Sequence, residues 1–296
     1  MIRRDGYIQG VPCWIDTSQP DPQAAAEFYG ALFGWELEEM MPPEAPGHYL
    51  VGRLDGGDVA AVSSVPPGAP AMAMWNTYIW VDSADETAQK VLAAGGSVLT
   101  EPFDVMEAGR MAVLADPAGA VFCAWQARAH KGANIVNEPG SLNFNVLNTP
   151  DLDGARSFYG AVFGWEVLDL GAGGQLWMLP GYCEFLEQRD PGLRDRMAAS
   201  GAPAGFEDVV ASLMPLAGDQ GDTPPHWGVT FAVEDADAIA ARAAELGARV
   251  IVAPFDAPWV RMAVIADPQG AVFTASQFVP ENSNLAQEAG AARGGA

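Results

Sequence analysis

Histidine is scarce in this chain. His48, His130 and His226 stand far apart among 296 residues, so their spacing suggests neither a Ser-His-Asp arrangement nor a multi-histidine metal site. Cys13, Cys123 and Cys183 are odd in number and widely separated, which argues against a disulfide framework or a cysteine-based zinc site and fits a reduced cytoplasm. Asp16 and Glu184 are conceivable general bases, although a lone carboxylate is more often solvated or paired. Gly171-Ala172-Gly173-Gly174 falls between strand-like runs and reads as a hairpin turn, not as a phosphate cradle. Tryptophan, by contrast, is plentiful at nine residues. Such rings stack on flat ligands, and their faces attract cations.

Fifteen basic residues against thirty-eight acidic ones give a formal charge of −23, which repels phosphate backbones and anionic lipid surfaces. No nucleic-acid or membrane partner is expected. A field of this sign favours solubility and would draw in a cationic ligand. No long uncharged apolar run is present, and Met1–Gly6 lacks the apolar stretch of a signal peptide, so a cytoplasmic location is the expectation.

The elements that must position these residues are duplicated. Phe28-Tyr29-Gly30-Ala31-Leu32-Phe33-Gly34-Trp35-Glu36 returns as Phe158-Tyr159-Gly160-Ala161-Val162-Phe163-Gly164-Trp165-Glu166. Arg110-Met111-Ala112-Val113-Leu114-Ala115-Asp116-Pro117 returns as Arg261-Met262-Ala263-Val264-Ile265-Ala266-Asp267-Pro268. The first half reads as two βαβββ units, with helices over Gln23–Phe33 and Ala84–Ala94. Asp21 and Pro22 suit the first helix start, and Gly34 its end. We expect a first domain over residues 7–130, a linker over 131–140, a second domain over 141–279 and a disordered tail over 280–296. The second half carries extra residues at about 189–225, read as a helical insert with helices near 191–199 and 205–213, and such inserts often serve as lids or binding loops.

Paired βαβββ units, Phe-Tyr-x-x-x-Phe-Gly-Trp after the first helix and Asp-Pro-x-Gly before the last strand resemble the vicinal oxygen chelate superfamily. That family includes glyoxalase I, extradiol dioxygenases and bleomycin-type resistance proteins. The resemblance covers residues 7–279 and is closest to tandem actinobacterial members labelled hydroxylases or glyoxalase-like. It implies an α+β fold of two tandem domains. Each would form a cup-shaped, partly open mixed β-sheet barrel with helices outside. In metal-using members the first strand of each unit carries a ligand and the last strand a Glu. Those positions map to Trp14, Asn76 and Cys123 in the first half and to Phe144, Gly228 and Thr274 in the second. Indole, phenyl and glycine cannot ligate, so no metal or other cofactor is expected.

Strand alternation then gives the cup linings. Trp14, Asp16, Ser18, Asn76, Tyr78, Trp80, Val121, Cys123 and Trp125 line the first. Phe144, Val146, Asn148, Gly228, Thr230, Ala232, Val272, Thr274 and Ser276 line a roomier second, with Trp177, Phe206, Trp227 and Trp259 as its rim. The rings of the first cup either stack on a ligand or simply fill it as core. The leading expectation is a non-enzymatic, metal-free binder of a planar, cationic aromatic molecule, such as an anthracycline-like natural product. It would act in self-resistance by sequestration or beside a tailoring oxygenase in antibiotic biosynthesis. The alternative is a metal-independent cyclase, isomerase or hydratase with Asp16 as base, or a glyoxalase- or dioxygenase-like enzyme should a metal be found. A tandem chain can pair its units internally, so a monomer is preferred, with a dimer left open.

Overall fold

The structure is a computed structural model that describes residues 3–171, 174–216 and 223–285. In the first half the elements run β1 (Pro12–Gln19), α1 (Pro22–Phe33), β2 (Glu36–Glu39), β3 (Tyr49–Leu54) and β4 (Gly57–Ser64). They continue as β5 (Met74–Trp80), α2 (Ala84–Ala93), β6 (Ser97–Val105), β7 (Gly109–Ala115) and β8 (Val121–Ala127). The eight strands form one mixed sheet in the order β2-β3-β4-β1-β5-β8-β7-β6. Central β1 is parallel to β4 and antiparallel to β5.

The second half repeats this plan. Its elements are β9 (Leu142–Thr149), α3 (Leu152–Phe163), β10 (Glu166–Asp169), β11 (Gln175–Met178), α4 (Tyr182–Glu187), α5 (Leu193–Ala199) and β12 (Val209–Pro215). They are followed by β13 (His226–Ala232), α6 (Ala236–Glu245), β14 (Arg249–Ala257), β15 (Val260–Ala266) and β16 (Val272–Phe278). The sheet order is β10-β11-β12-β9-β13-β16-β15-β14, the same permutation. Both sheets are open, ending at β2 and β6 and at β10 and β14, in keeping with the expected partly open architecture.

Local chemistry explains the helix ends. The Asp21 and Asp151 carboxylates accept from the backbone N–H of Ala24 and Gly154, and Gly34 and Gly164 close α1 and α3 in the left-handed conformation.

One expected element is corrected. Residues 205–213 are not a helix: a 3-10 turn over Phe206–Asp208 leads directly into β12. Val209 and Val210 are β-branched, and Ala211 and Leu213 are buried at period 2, both of which favour a strand. Because β12 pairs with β9 and β11, the extra chain lies between β11 and β12, where the first half has only the short β3–β4 turn. Residues 217–222 and 286–296 lie outside the described residues, and the expected disordered tail is corrected at its start, where Pro280–Asn284 form a 3-10 turn.

The repeated strings build the junction between the halves. Tyr29, Phe33 and Trp35 pack against Phe231 and Phe273, with centroids 4.8 to 6.1 Å apart across the junction. Symmetrically, Tyr159 and Phe163 meet Phe122, each at 5.9 Å. The Trp35 indole N–H donates to the Gly140 carbonyl, and Trp165 to that of Gly10, each at 2.8 Å.

Each Asp-Pro turn is locked by the other half. Asp267 Oδ1 accepts the backbone N–H of Gln269, Gly270 and Ala271, while its Oδ2 accepts from Tyr29 at 2.8 Å and Gln19 at 2.7 Å. Asp116 is held alike by Ala118, Gly119 and Ala120 and by Tyr159 at 3.2 Å. Phe-Tyr-x-x-x-Phe-Gly-Trp and Asp-Pro-x-Gly are thus the two sides of one interface, which is why both recur. Arg110 and Arg261 also match, each bridging two surface aspartates.

Candidate functional site

With one face of each sheet committed to that junction, the other face forms the cup. The two cups share a register. Trp14 pairs with Tyr78 and Tyr78 with Cys123; Phe144 pairs with Thr230 and Thr230 with Thr274. Asp16 faces Asn76 where Val146 faces Gly228, and Trp80 lies beside Trp125 where Ala232 lies beside Ser276. The first cup therefore carries four large rings where the second has a phenyl, a threonine, an alanine and a serine.

Those rings fill the first cup. Trp14, Tyr78, Cys123 and Trp125 are all buried, and Trp80 is half-buried with Tyr7 of the N-terminal arm at 6.2 Å. His130, on the chain leaving β8, wedges between Trp14 at 4.4 Å and Trp125 at 5.7 Å. Among the described residues its buried Nε2 has no hydrogen-bond partner, and burial lowers its pKa. The faces that would stack on a ligand are taken by neighbours, so these rings are core at this depth.

Toward the mouth the first cup becomes polar. Asp16 is 3% exposed and accepts from Asn76 Nδ2 at 2.8 Å, from the Tyr78 hydroxyl at 2.7 Å and from Tyr49. Tyr49 in turn accepts from the Trp14 indole at 2.9 Å, and Asn76 also donates to Ser18 at 3.1 Å. Burial pushes the Asp16 pKa up, and the hydrogen bonds from Asn76, Tyr78 and Tyr49 oppose it. A carboxyl raised in this way favours the fold in acid, and that advantage fades as pH climbs above the ordinary value of 3.8 through the folded one. Asp16→Asn should therefore gain in melting temperature relative to wild type as pH rises from below 3.8 to 8, by about 2–4 °C, the worth of about 1 kcal/mol. Melts across that pH range check this; a difference that ignores pH would mean Asp16 is not a strained buried acid.

The lining of the second cup is less completely buried. Phe144, Val146, Asn148, Gly228, Ala232 and Thr274 are half-buried, Thr230 and Ser276 are buried, and Val272 is 45% exposed. Phe206, delivered by the end of the extra chain, stands 6.5 Å from Phe144. Trp259 occupies the β14–β15 turn, half-buried, with φ of +62°.

Trp177 and Trp227 do not rim this cup. They are buried on the opposite face, with Trp165 at 5.5 and 6.0 Å, and Trp227 donates to the Tyr159 hydroxyl at 3.0 Å. Period 2 requires this, since Gly228 beside Trp227 faces the cup. Two surface depressions of about 250 and 270 Å³ lie elsewhere, one between α1 and α6 and one in the loop before β3.

Sequence reasoning missed Tyr49 and His130 as cup residues. Tyr49 shares the strand face of Val51, a parity that could have revealed it. His130 sits in an irregular segment whose course no periodicity encodes.

The family's metal does not fit either cup. The mapped positions offer indole, amide and thiol in one and phenyl, glycine and hydroxyl in the other, not imidazoles and carboxylates. Among the described residues no group of three or more His, Cys, Asp or Glu side chains could hold an ion.

Comparison with known proteins agrees with the architecture. Residues 14–125 match the model of a glyoxalase-like domain, and residues 141–274 that of the glyoxalase/bleomycin resistance protein/dioxygenase superfamily. The putative glyoxylase CFP32 of Mycobacterium tuberculosis is 40% identical over 286 residues, covering 95% of this chain and 100% of that one. The anthracycline biosynthesis protein DnrV of Streptomyces peucetius is 36% identical over 288 residues, covering 90% of this chain and 93% of that one. The Mn(II)-bound glyoxalase of Novosphingobium aromaticivorans superposes with a TM-score of 0.58 at 17% identity, over 91% of this chain and 83% of that one. Two matching domains and full-length relatives establish that the chain belongs to the vicinal oxygen chelate superfamily, which unites glyoxalases, bleomycin resistance proteins and dioxygenases, as a tandem glyoxalase-like member.

Proposed function

We propose that the chain binds a planar, polycyclic aromatic molecule in the second cup, without a metal at the family's ligand positions. The observation that carries this reading is the register comparison: at equivalent places the second cup replaces Tyr78, Trp80 and Trp125 with Thr230, Ala232 and Ser276. Duplication provides a filled reference, and against it the second cup has lost ring volume while gaining Phe206 at its edge. The lining side chains are apolar or hydroxyl- and amide-bearing, which suits a fused ring system carrying oxygen substituents. An amine on such a molecule would be favoured by the −23 charge of the chain. The naming of its relative DnrV as an anthracycline biosynthesis protein supports that ligand class. Holding such a molecule serves either sequestration or delivery to a tailoring oxygenase.

Titration of chelator-treated protein with a cationic anthracycline and with its sugar-free aglycone, read by tryptophan fluorescence, tests this. Saturable quenching at roughly micromolar ligand is expected, about −8 kcal/mol. The amine-bearing form should bind more tightly, and only that preference should fade with salt. The ligand should be recovered at unchanged mass. Absence of saturable quenching by either form would overturn the proposal, and a changed mass would show that binding is not the whole activity.

A further inference from the structure

The second half is also a control for the first. Where the first cup has Asp16, Asn76 and Tyr78, the second has Val146, Gly228 and Thr230 at the same register. The scaffold therefore forms without a carboxylate, an amide or a phenol at these places. Asp16 is nonetheless buried, and among the described residues no Lys, Arg or His pairs with it. A buried carboxylate without a cation is costly, and here the fold does not require it.

We propose that the first cup is a separate proton-transfer site, in which Asp16 acts as the base toward an enolisable ketone carried on an apolar ring. Three donors occupy the carboxylate, from Asn76, Tyr78 and Tyr49, and its two oxygens have room for about four. Beside it lies half-buried Ser18, whose hydroxyl accepts from Asn76 and so keeps its own hydrogen for a carbonyl oxygen. Met74 and Val121, each 42% exposed at the same end of the cup, offer the ring an apolar seat.

The step balances without an added reagent. Asp16 takes the hydrogen from the carbon beside the carbonyl, the C–H pair becomes the C=C bond, and the carbonyl π pair moves onto oxygen, where the Ser18 hydroxyl holds it. The protonated acid then returns its proton to the same carbon or to a conjugated one, giving exchange or isomerisation. Facing Asp16 are Tyr49 from β3, Tyr78 and Asn76 from β5 and Cys123 from β8; burial keeps the two phenols and the thiol protonated. The raised pKa of Asp16 brings the base closer to neutrality, where general-base catalysis is most effective.

The test is α-hydrogen exchange of 2-tetralone in D2O, followed by proton NMR. Wild type should accelerate exchange saturably over buffer, with a rate that rises with pH as Asp16 ionises. Asp16→Asn should lose about 100-fold or more. Tyr78→Phe, which removes a donor to the carboxylate, should keep exchange but move the pH midpoint upward. Exchange no faster than in buffer, an Asp16→Asn rate equal to wild type, or an unmoved midpoint in Tyr78→Phe would each overturn the proposal.

Discussion

Phe231→Ala is expected to destabilise the chain by about 3–5 kcal/mol, the cost of emptying a large aromatic site in a packed core. Phe231 has no exposed surface and lies among Phe33 at 4.8 Å, Trp75 at 5.2 Å, Phe273 at 5.7 Å and Trp35 at 5.8 Å. Three of those rings belong to the first half and one to the second. The cavity would open on the junction itself, where neither sheet can collapse without disturbing the other. In a chain of this size the loss corresponds to roughly 6–20 °C in melting temperature. Phe278→Ala, at a ring 62% exposed, should change it little and serves as the reference. Calorimetry decides: equal, small shifts for the two variants would mean that the halves are not held through this cluster.

The junction was the most legible part of the sequence because duplication writes it twice. Neither Tyr29 nor Asp267 alone says much. Each recurs with its neighbours intact, and the structure pairs them across the halves. Helix ends were equally readable, since Asp21 and Gly34 act within a few residues of chain. Strand parity placed Trp14, Asp16, Tyr78 and Thr230 on the cup side.

It failed where local pattern and tertiary demand diverge. Val209–Leu213 is apolar enough to suit either element, and only its slot between β9 and β11 decides for a strand. Trp177 and Trp227 were assigned by ring type rather than by parity, and parity puts them in the core. His130 was beyond reach, because a wedge supplied by an irregular segment has no spacing to read. A sequence can also show that a cup is aromatic, but whether the rings are free or already stacked on one another is a property of packing.

The difference between the cups can be transplanted. Thr230→Tyr with Ala232→Trp writes the first cup's Tyr78 and Trp80 into the second at the same register. Thr230 is buried beside Thr274 and Phe144, so the new phenol must occupy the trough. The indole at position 232 then closes the deeper layer beside Ser276. Overpacking of this kind costs about 1–3 kcal/mol, tolerable in a chain whose first half already accommodates the same side chains, and circular dichroism verifies the fold. Anthracycline affinity should fall at least 100-fold, about 2.7 kcal/mol, because the ligand and the new rings compete for one volume. Phe206→Ala, which removes an edge contact and leaves the trough open, should weaken binding by only about tenfold, close to 1.4 kcal/mol. An unchanged affinity in the double variant would place the ligand outside the second cup. The acidic exterior would then remain as the feature that attracts it, and salt would abolish binding of the amine-bearing form entirely.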